Sequence, residues 1–202
     1  ELMVACALGL DAAERLTTAA RKEIARLVQS GDGVDSAALD ANQSAAHLYA
    51  WMATYAAALR ELLSWARALE QRGALGEREA LILQIGFGEY LAQLKGGIPL
   101  SQGEILRPSD LGLGGSALSA FDEPAIESLV RAGASNGARL RLAALLADGM
   151  FGDDGLDDET LTLIRDQFRR FADEQIVPHA HGWHVTDSFI PLEIIARMGE
   201  LG

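Results

Sequence analysis

The sequence predicts an all-α protein, a bundle of about six or seven helices. Apolar residues recur every three or four positions in most segments, the spacing that lines one face of a helix. Glycine, proline and capping residues separate these segments. No stretch shows the alternation of apolar and polar residues that is typical of a half-buried strand. We therefore expect trivial strand content and no larger sheet within residues 1–150.

The first predicted helix runs from Asp11 to Ser30. Asp11-Ala-Ala-Glu14 has the spacing of a capping box, in which the first and fourth residues bond to each other's backbone at a helix start. Gly31-Asp-Gly33 supplies residues that end a helix. The side chains expected to be buried are Leu16, Ala20, Ile24, Leu27 and Val28.

A long second helix is predicted from about Asp35 to Arg72, with a bend around residues 41–44. Trp51 and Trp65 lie fourteen positions apart, close to four helical turns, so both indoles face the same way. An aromatic pair at this spacing is more often core than ligand site, and we expect both to widen the buried face. The apolar stripe consists of Met52, Tyr55, Ala56, Leu59, Leu62, Leu63, Ala66 and Leu69.

A third helix is predicted from Glu77 to Lys95, after the turn at residues 73–76. Gly86 and Gly88 lie inside it, and each costs about 1 kcal/mol relative to alanine in a helix. Such residues are tolerated where two helices approach closely, so we expect both glycines to face a neighbouring helix. The predicted apolar face comprises Leu81, Ile82, Ile85, Leu91 and Leu94.

Residues 96–121 are predicted to be largely irregular, because two prolines and six glycines forbid a long helix there. One short helix around 101–106 is compatible with the composition. Two further helices follow at 123–131 and 136–148, and residues 149–154 form a linker. The predicted organisation is therefore a helical domain at 1–150 followed by a second helical segment at 151–202.

The last segment is predicted to be a helix, an elbow and a helix. Asp157 is the expected N-cap of the first helix, and Pro178 is expected to end it. Residues 179–190 form the predicted connector, in which Trp183 is expected to be substantially buried, and Pro191 suits the first turn of the last helix. The apolar positions of the two helices are Leu161, Ile164, Phe168, Phe171, Ile176, Ile194, Ile195, Met198 and Leu201.

Composition narrows the class of protein. Acidic residues outnumber basic ones 29 to 17, a net charge of −12, so the clustered cations that bind nucleic acid are missing. No apolar run is long enough to span a bilayer. The N-terminal ELMVACAL lacks a basic flank, so we do not interpret it as a signal peptide. The single cysteine, Cys6, cannot form an intrachain disulfide and favours a reducing cytoplasm.

Three histidines, His179, His181 and His184, form an H-x-H-x-x-H pattern that is similar to dinuclear metallohydrolase sites. Such sites place an Asp before the last histidine and follow a strand. Here Trp183 occupies the Asp position and an amphipathic helix comes before the pattern. We therefore favour a metal-free elbow whose imidazoles bond to backbone and carboxylates.

Two further sequence patterns are similar to ligand-binding motifs but lack the context that those motifs require. Residues 112–117, GLGGSA, satisfy the glycine fingerprint of dinucleotide sites, but no strand leads into them, so we expect a loop. The acidic cluster at 153–159 has the wrong register for a calcium loop and fits a solvated helix start. No Ser/His/Asp or Cys/His arrangement stands out as a nucleophilic site.

The last quarter of the chain resembles the opening of the acyl-CoA dehydrogenase family, flavoenzymes that oxidise the Cα–Cβ bond of acyl-CoA thioesters. The resemblance rests on Phe168-Arg-Arg-Phe-Ala-Asp-Glu, Val177-Pro-His-Ala-His, Ile190-Pro-Leu-Glu and residues 195–202. It implies that residues 151–202 form the first helices of that family's N-terminal helical domain. In the family, a carboxylate removes the α-proton and FAD accepts the β-hydride.

Residues 1–150 resemble the helical extension that comes before the dehydrogenase in long-form members acting on a short branched acyl-CoA. The runs are Ala50-Trp-Met-Ala-Thr-Tyr, residues 83–94 (LQIGFGEYLAQL) and residues 96–104 (GGIPLSQGE). The resemblance implies an accessory domain, FAD, an acyl-CoA substrate, electron-transfer flavoprotein as partner, and a homo-oligomer.

The family's flavin contacts and catalytic glutamate are expected beyond Gly202. We therefore assign no catalytic, cofactor-binding or metal-ligating residue in this chain, and we expect the 202 residues alone to be inactive. The alternative is a non-enzymatic helical interaction module, which would show the same periodicity and need no cofactor.

Overall fold

The computed structural model describes residues 1–152, 155–156 and 158–201. The chain divides into two compact units, Glu1–Gly152 (unit 1) and Asp153–Gly202 (unit 2). The all-α fold class is confirmed. Apart from helices, the described residues contain only two hairpins of two-residue strands, so strand content is as small as predicted.

The described residues form nine α-helices, more than the six or seven predicted. The predicted second helix is divided at Asn42, and an additional helix after Ile176 occupies much of the predicted connector. The helices of unit 1 are α1 (Leu2–Val28), α2 (Ser36–Ala41), α3 (Gln43–Gln71), α4 (Glu77–Gly96), α5 (Pro124–Gly133) and α6 (Asn136–Ala147). Its strands are β1 (Gln29–Ser30), β2 (Gly33–Val34), β3 (Ile98–Pro99) and β4 (Ile105–Leu106). The helices of unit 2 are α7 (Glu159–Gln175), α8 (Val177–Val185) and α9 (Leu192–Glu200).

The core of unit 1 is formed by α1, α3, α4 and α5. Each helix contributes apolar side chains at helical spacing, and Leu16, Leu59 and Phe87 are fully buried. Fully burying such a side chain contributes about 1.5–3 kcal/mol. The stripes, rather than intrinsic helix propensity, therefore stabilise this bundle.

Helix α1 begins at Leu2, so the start predicted at Asp11 is wrong. Asp11 forms an ion pair with Arg15 one turn further along, which is the ordinary pairing of residues four apart inside a helix. Cys6 and Gly9 extend the buried stripe towards the N-terminus. The stripe is otherwise as predicted, except that Leu27 is 42% exposed.

The predicted bend in the second helical segment is a break at Asn42, and Asp35 caps α2 by accepting the Ala38 N–H at 3.0 Å. Trp65 is half-buried against the core. Trp51 is 38% exposed, so its predicted burial is wrong. Its indole N–H instead donates to His47 on the outer face, because Met52 and Tyr55 occupy the buried one.

Both internal glycines of α4 lie against a neighbouring helix, as predicted. A Cβ on Gly88 would lie 2.7 Å from the Cα of Gly133 in α5. A Cβ on Gly86 would lie 2.6 Å from the Leu62 Cδ2 atom of α3. The buried face of α4 is therefore rotated about the helix axis by about one residue position relative to the predicted face. Leu91 and Leu94 are buried as expected, while Leu83 and Phe87 take the places predicted for Leu81, Ile82 and Ile85.

The segment after α4 contains no helix at 101–106. Residues 98–99 and 105–106 instead pair as an antiparallel hairpin, β3–β4. Three short 3-10 turns follow at Pro108–Leu111, Gly115–Ala117 and Ser119–Asp122. Leu111 and Phe121 are buried, so this irregular segment is anchored to the core by its own apolar side chains.

In unit 2, Asp158 caps α7 by accepting the Leu161 N–H at 3.0 Å. The cap predicted at Asp157 lies outside the described residues. Helix α7 ends at Gln175, close to the predicted end, but the connector predicted for 179–190 is largely helical. Pro178 occupies the first turn of α8, where a missing N–H costs nothing, so it begins one helix rather than only ending another.

Candidate functional site

Unit 2 presents an open apolar surface. None of the described residues of α7, α8 and α9 is buried. Phe189 is 96% exposed and Leu192 is 77% exposed, which is far from their usual environment in a folded protein. We call this the unit 2 apolar surface; its most exposed members are Leu163, Val177, Val185, Phe189, Ile190, Leu192 and Ile195.

An open depression of about 650 Å³ lies on this surface, beside the start of α9. Its lining side chains are all apolar, from Phe189, Ile190, Pro191, Leu192 and Ile195. A flavin ring needs hydrogen-bond donors and acceptors for its polar edge in addition to apolar contact. The side chains that line this depression offer no such donor or acceptor.

The three histidines of the H-x-H-x-x-H pattern lie on α8 rather than in an irregular elbow. His179 and His181 are two positions apart, so the helix directs their side chains to nearly opposite sides. His179 instead lies against half-buried Trp183, with ring centroids 5.7 Å apart. Among the described residues, no group of three or more His, Cys, Asp or Glu side chains is placed to hold a metal ion.

The glycine-rich run at 112–117 is a loop, as predicted. A 3-10 turn comes before it, and another, Gly115–Ala117, lies within it. Gly112 has φ +70°, a left-handed conformation that closes the first turn. Neither the strand nor the following α-helix that a dinucleotide site requires is present in this described segment.

A groove of unit 1 lies at the first turn of α1. Its volume is about 620 Å³, and its lining includes Val4, Gln84, Ser128 and Leu129. Cys6 lies nearby in sequence but is fully buried, and this burial raises the pKa of its thiol to about 12. The thiol is therefore protonated at neutral pH and has no nucleophilic character.

Sequence reasoning missed a buried ion pair at the start of α4. Glu79 is 4% exposed. One of its carboxylate oxygens accepts a hydrogen bond from the Gly76 N–H at 3.1 Å, and the other accepts one from the Arg78 guanidinium at 2.7 Å. The spacing of residues 76 and 79 is that of a capping box, which was the available signal. Gly152 packs against this ion pair, since a Cβ at Gly152 would clash with both side chains.

The described residues contain no helix that is long and apolar enough to cross a membrane.

Residues 158–202, essentially the described part of unit 2, match the N-terminal domain of acyl-CoA dehydrogenases. The resemblance of this segment to the acyl-CoA dehydrogenase family is therefore confirmed.

The whole chain is similar to (2S)-methylsuccinyl-CoA dehydrogenase of Cereibacter sphaeroides. The two are 47% identical over 206 aligned residues, which cover 100% of this chain. The chain spans 37% of the length of that relative and matches its N-terminal part. Residues 1–150 are therefore included in the similarity to the N-terminal part of that relative.

Proposed function

We propose that this chain is the N-terminal portion of an FAD-dependent acyl-CoA dehydrogenase. The full-length enzyme would oxidise (2S)-methylsuccinyl-CoA to mesaconyl-CoA, a step of the ethylmalonyl-CoA pathway. Residues 151–202 supply the first helices of the dehydrogenase domain, and residues 1–150 supply an accessory helical extension. The flavin-binding and acid–base residues lie in the part of the full-length polypeptide outside these 202 residues.

The identity of 47% with a (2S)-methylsuccinyl-CoA dehydrogenase carries this proposal. The similarity runs through both units, so it includes the extension as well as the segment shared by acyl-CoA dehydrogenases in general. A similarity restricted to unit 2 would have supported the dehydrogenase family without favouring this substrate.

The geometry of unit 2 supports the same interpretation. Helices α7, α8 and α9 are amphipathic or apolar, yet none of their described residues is buried. Surfaces of this kind occur where another part of the protein covers them. The remaining dehydrogenase domain of the full-length enzyme would provide that cover.

We also propose partners and a location for the full-length enzyme. The full-length enzyme binds an acyl-CoA substrate, transfers electrons to an electron-transfer flavoprotein, works in the cytoplasm and forms a homo-oligomer. It requires neither nucleic acid nor a membrane. The 202-residue chain alone has no activity.

The test compares the full-length protein with the 202-residue chain. We expect the purified full-length protein to show flavin absorbance and to reduce an artificial electron acceptor fastest with (2S)-methylsuccinyl-CoA in a panel of straight and branched acyl-CoAs. The 202-residue chain should be colourless and inactive with every thioester.

Three results would contradict parts of the proposal. A flavin-containing, active 202-residue chain would refute the placement of the catalytic residues. A flavoprotein that prefers another acyl-CoA would refute the substrate and leave the enzyme class intact. A full-length protein without flavin would leave the alternative, a non-enzymatic helical interaction module.

A further inference from the structure

The chain contains two asparagines, Asn42 and Asn136, and their surroundings differ. Asn136 is the first residue of α6 and is followed by Gly137. Asn42 lies between α2 and α3 and is followed by Gln43. Asparagine is among the chemically labile residues of proteins. Its side-chain amide is lost when the backbone nitrogen of the next residue reaches the side-chain carbonyl carbon, so the neighbourhood of each asparagine decides its stability.

The backbone nitrogen of Gly137 is unhindered. Gly137 is exposed and has no side chain to shield this nitrogen. A Cβ at this position would lie 4.0 Å from the nearest atom, the Ser135 Oγ, so no neighbour crowds it either. The N–H groups of the first helical turn have no carbonyl one turn before them. The Ser135 hydroxyl accepts the Ala138 N–H at 3.2 Å, and the Gly137 N–H donates to none of the described residues.

The side chain of Asn136 is equally unrestrained. It is exposed, and its amide forms no hydrogen bond with any described residue. Asn42 differs on each of these points. It is half-buried, its side-chain amide donates to the Ala38 carbonyl at 2.8 Å, and the next residue, Gln43, carries a full side chain. Asn42 is therefore an internal reference for Asn136 within the same polypeptide.

We infer that Asn136 is a modification site, at which the side-chain amide is lost spontaneously through attack by the Gly137 backbone nitrogen. This nitrogen forms a bond to the side-chain carbonyl carbon of Asn136, and the bond from that carbon to the amide nitrogen breaks. The amide nitrogen leaves as ammonia with the proton of the Gly137 N–H, and a cyclic imide remains. Water then adds to one of the two imide carbonyl carbons. Cleavage at the side-chain carbon yields aspartate, and cleavage at the main-chain carbon yields an isoaspartyl linkage.

The first turn of α6 controls the reaction. A helical backbone directs the nitrogen of the following residue away from the side-chain carbonyl carbon, so the turn must open before the imide forms. Helix ends fray readily, and Gly137 weakens this one because glycine disfavours helix. No acidic side chain supports the first turn. The Ser135 cap, which holds the Ala138 N–H, is the contact that opposes opening.

The two products have opposite effects on α6. Aspartate in the first turn interacts favourably with the positive end of the helix dipole. The isoaspartyl linkage adds a methylene group to the main chain, which is incompatible with the hydrogen-bonded rings of an α-helix. The same turn carries Ala138, which is buried, and Arg139, which pairs with Glu89 of α4. The isoaspartyl form therefore loosens the attachment of α6 to α4.

The test follows both asparagines in the purified full-length protein during incubation in mildly alkaline buffer. Peptide mass spectrometry measures the loss of each amide, and an isoaspartyl methyltransferase detects the second product. We expect Asn136 to be converted while Asn42 in the same sample stays intact. Gly137→Ala should slow the conversion about fivefold or more, because alanine favours the closed helical turn. Ser135→Ala should accelerate it about fivefold, the change in the opening equilibrium that the loss of a cap typically causes.

Four results would overturn the inference. Conversion of both asparagines at the same rate would show that local structure has no influence. An intact Asn136 in the native protein, together with rapid conversion in denaturant, would show that the folded protein protects it. An unaccelerated Ser135→Ala variant would exclude opening of the first turn as the controlling step. If that variant disturbs more of the fold than the cap, Gly137→Ala remains decisive, and an unchanged rate there would refute the role of the Gly137 nitrogen.

The inference does not rest on the proposed function. None of these measurements depends on flavin content or activity, so a failure of one is distinguishable from a failure of the other.

Discussion

The contact between the backbones of α4 and α5 gives the sharpest stability prediction. A Cβ on Gly88 would lie 2.7 Å from the Gly133 Cα and 3.0 and 3.1 Å from the next two backbone atoms. These atoms belong to the main chain of α5 and cannot rotate away. Substituting Gly88→Ala therefore forces α4 and α5 apart.

The magnitude is the difference between two opposing terms. Alanine gains up to about 1 kcal/mol over glycine through helix propensity. Overpacking a tight contact costs about 1–3 kcal/mol, and a contact between two backbones belongs to the upper part of this range. We therefore expect Gly88→Ala to lower the free energy of unfolding by about 1–2 kcal/mol. For a unit of this size, each kcal/mol lowers the melting temperature by about 2–4 °C.

Gly86→Ala is the matched control, two positions away in the same helix. Its Cβ would lie 2.6 Å from Leu62 Cδ2, the end of a half-buried side chain that can change rotamer. The propensity gain then remains, so this variant should be at least as stable as the unmodified protein. Urea unfolding followed by circular dichroism measures both, with an unchanged m-value as the condition for comparing them. Equal or greater stability of Gly88→Ala would refute the close-packing argument.

Four further predictions concern buried groups. A thiol reagent at pH 8 should modify Cys6 very slowly in the folded protein and rapidly in denaturant, because burial raises the pKa of the thiol from 9.0 to about 12; fast modification of the folded protein would contradict its burial. For the same reason the contribution of Cys6 to stability should be fully present below about pH 9 and be lost as the pH rises towards 12, a loss absent in Cys6→Ala. Tyr55→Phe removes the 2.6 Å hydrogen bond to the Gln93 side chain and should cost about 1 kcal/mol in a urea titration, whereas no loss would show that water replaces the bond. Phe87→Ala opens a cavity at a fully buried position and should cost about 3–5 kcal/mol by the same measurement; a cost below that of Tyr55→Phe would place Phe87 outside the core.

Helical periodicity was sufficient to predict where most of unit 1 is buried. The stripe of the second helical segment from Met52 to Leu69 was predicted almost residue by residue, because apolar spacing and burial express the same geometry. Trp51 was the exception. Because Trp51 lies beside the apolar stripe, helical spacing alone does not determine whether its indole is buried or exposed. The hydrogen bond that the indole donates to His47 on the outer face cannot be read from the sequence pattern.

Element ends were less predictable, since the same spacing has several structural meanings. Asp11 and Glu14 have the spacing of a cap, yet Asp11 pairs with Arg15 in mid-helix. Pro178 lies just after the end of α7 and in the first turn of α8. The sequence does not show whether the proline ends one helix or begins another, and only the backbone at Ile176 distinguishes these roles. The H-x-H-x-x-H pattern lies on helix α8, and this placement was not foreseen.

The candidate functional surfaces were largely beyond sequence reasoning. Periodicity identifies apolar faces without showing which of them a neighbouring element covers. The spacing of the apolar residues of α7 is that of one buried helix stripe, but none of the described residues of α7 or α9 is buried in this chain, so that expectation is wrong here. The family resemblance, carried by short runs of residues in both units, indicated the class that physical pattern alone did not.

The contact of Gly152 with the Glu79–Arg78 pair limits where unit 1 can be joined to another polypeptide. Replacing Gly152 by any residue with a Cβ would push against a buried carboxylate and a half-buried guanidinium at the start of α4. A chimaera joined at or before this glycine would therefore damage the fold of the donor itself. A junction placed after Gly152 leaves the whole of unit 1 intact, which makes this glycine the natural splice point for grafting unit 1 onto another protein.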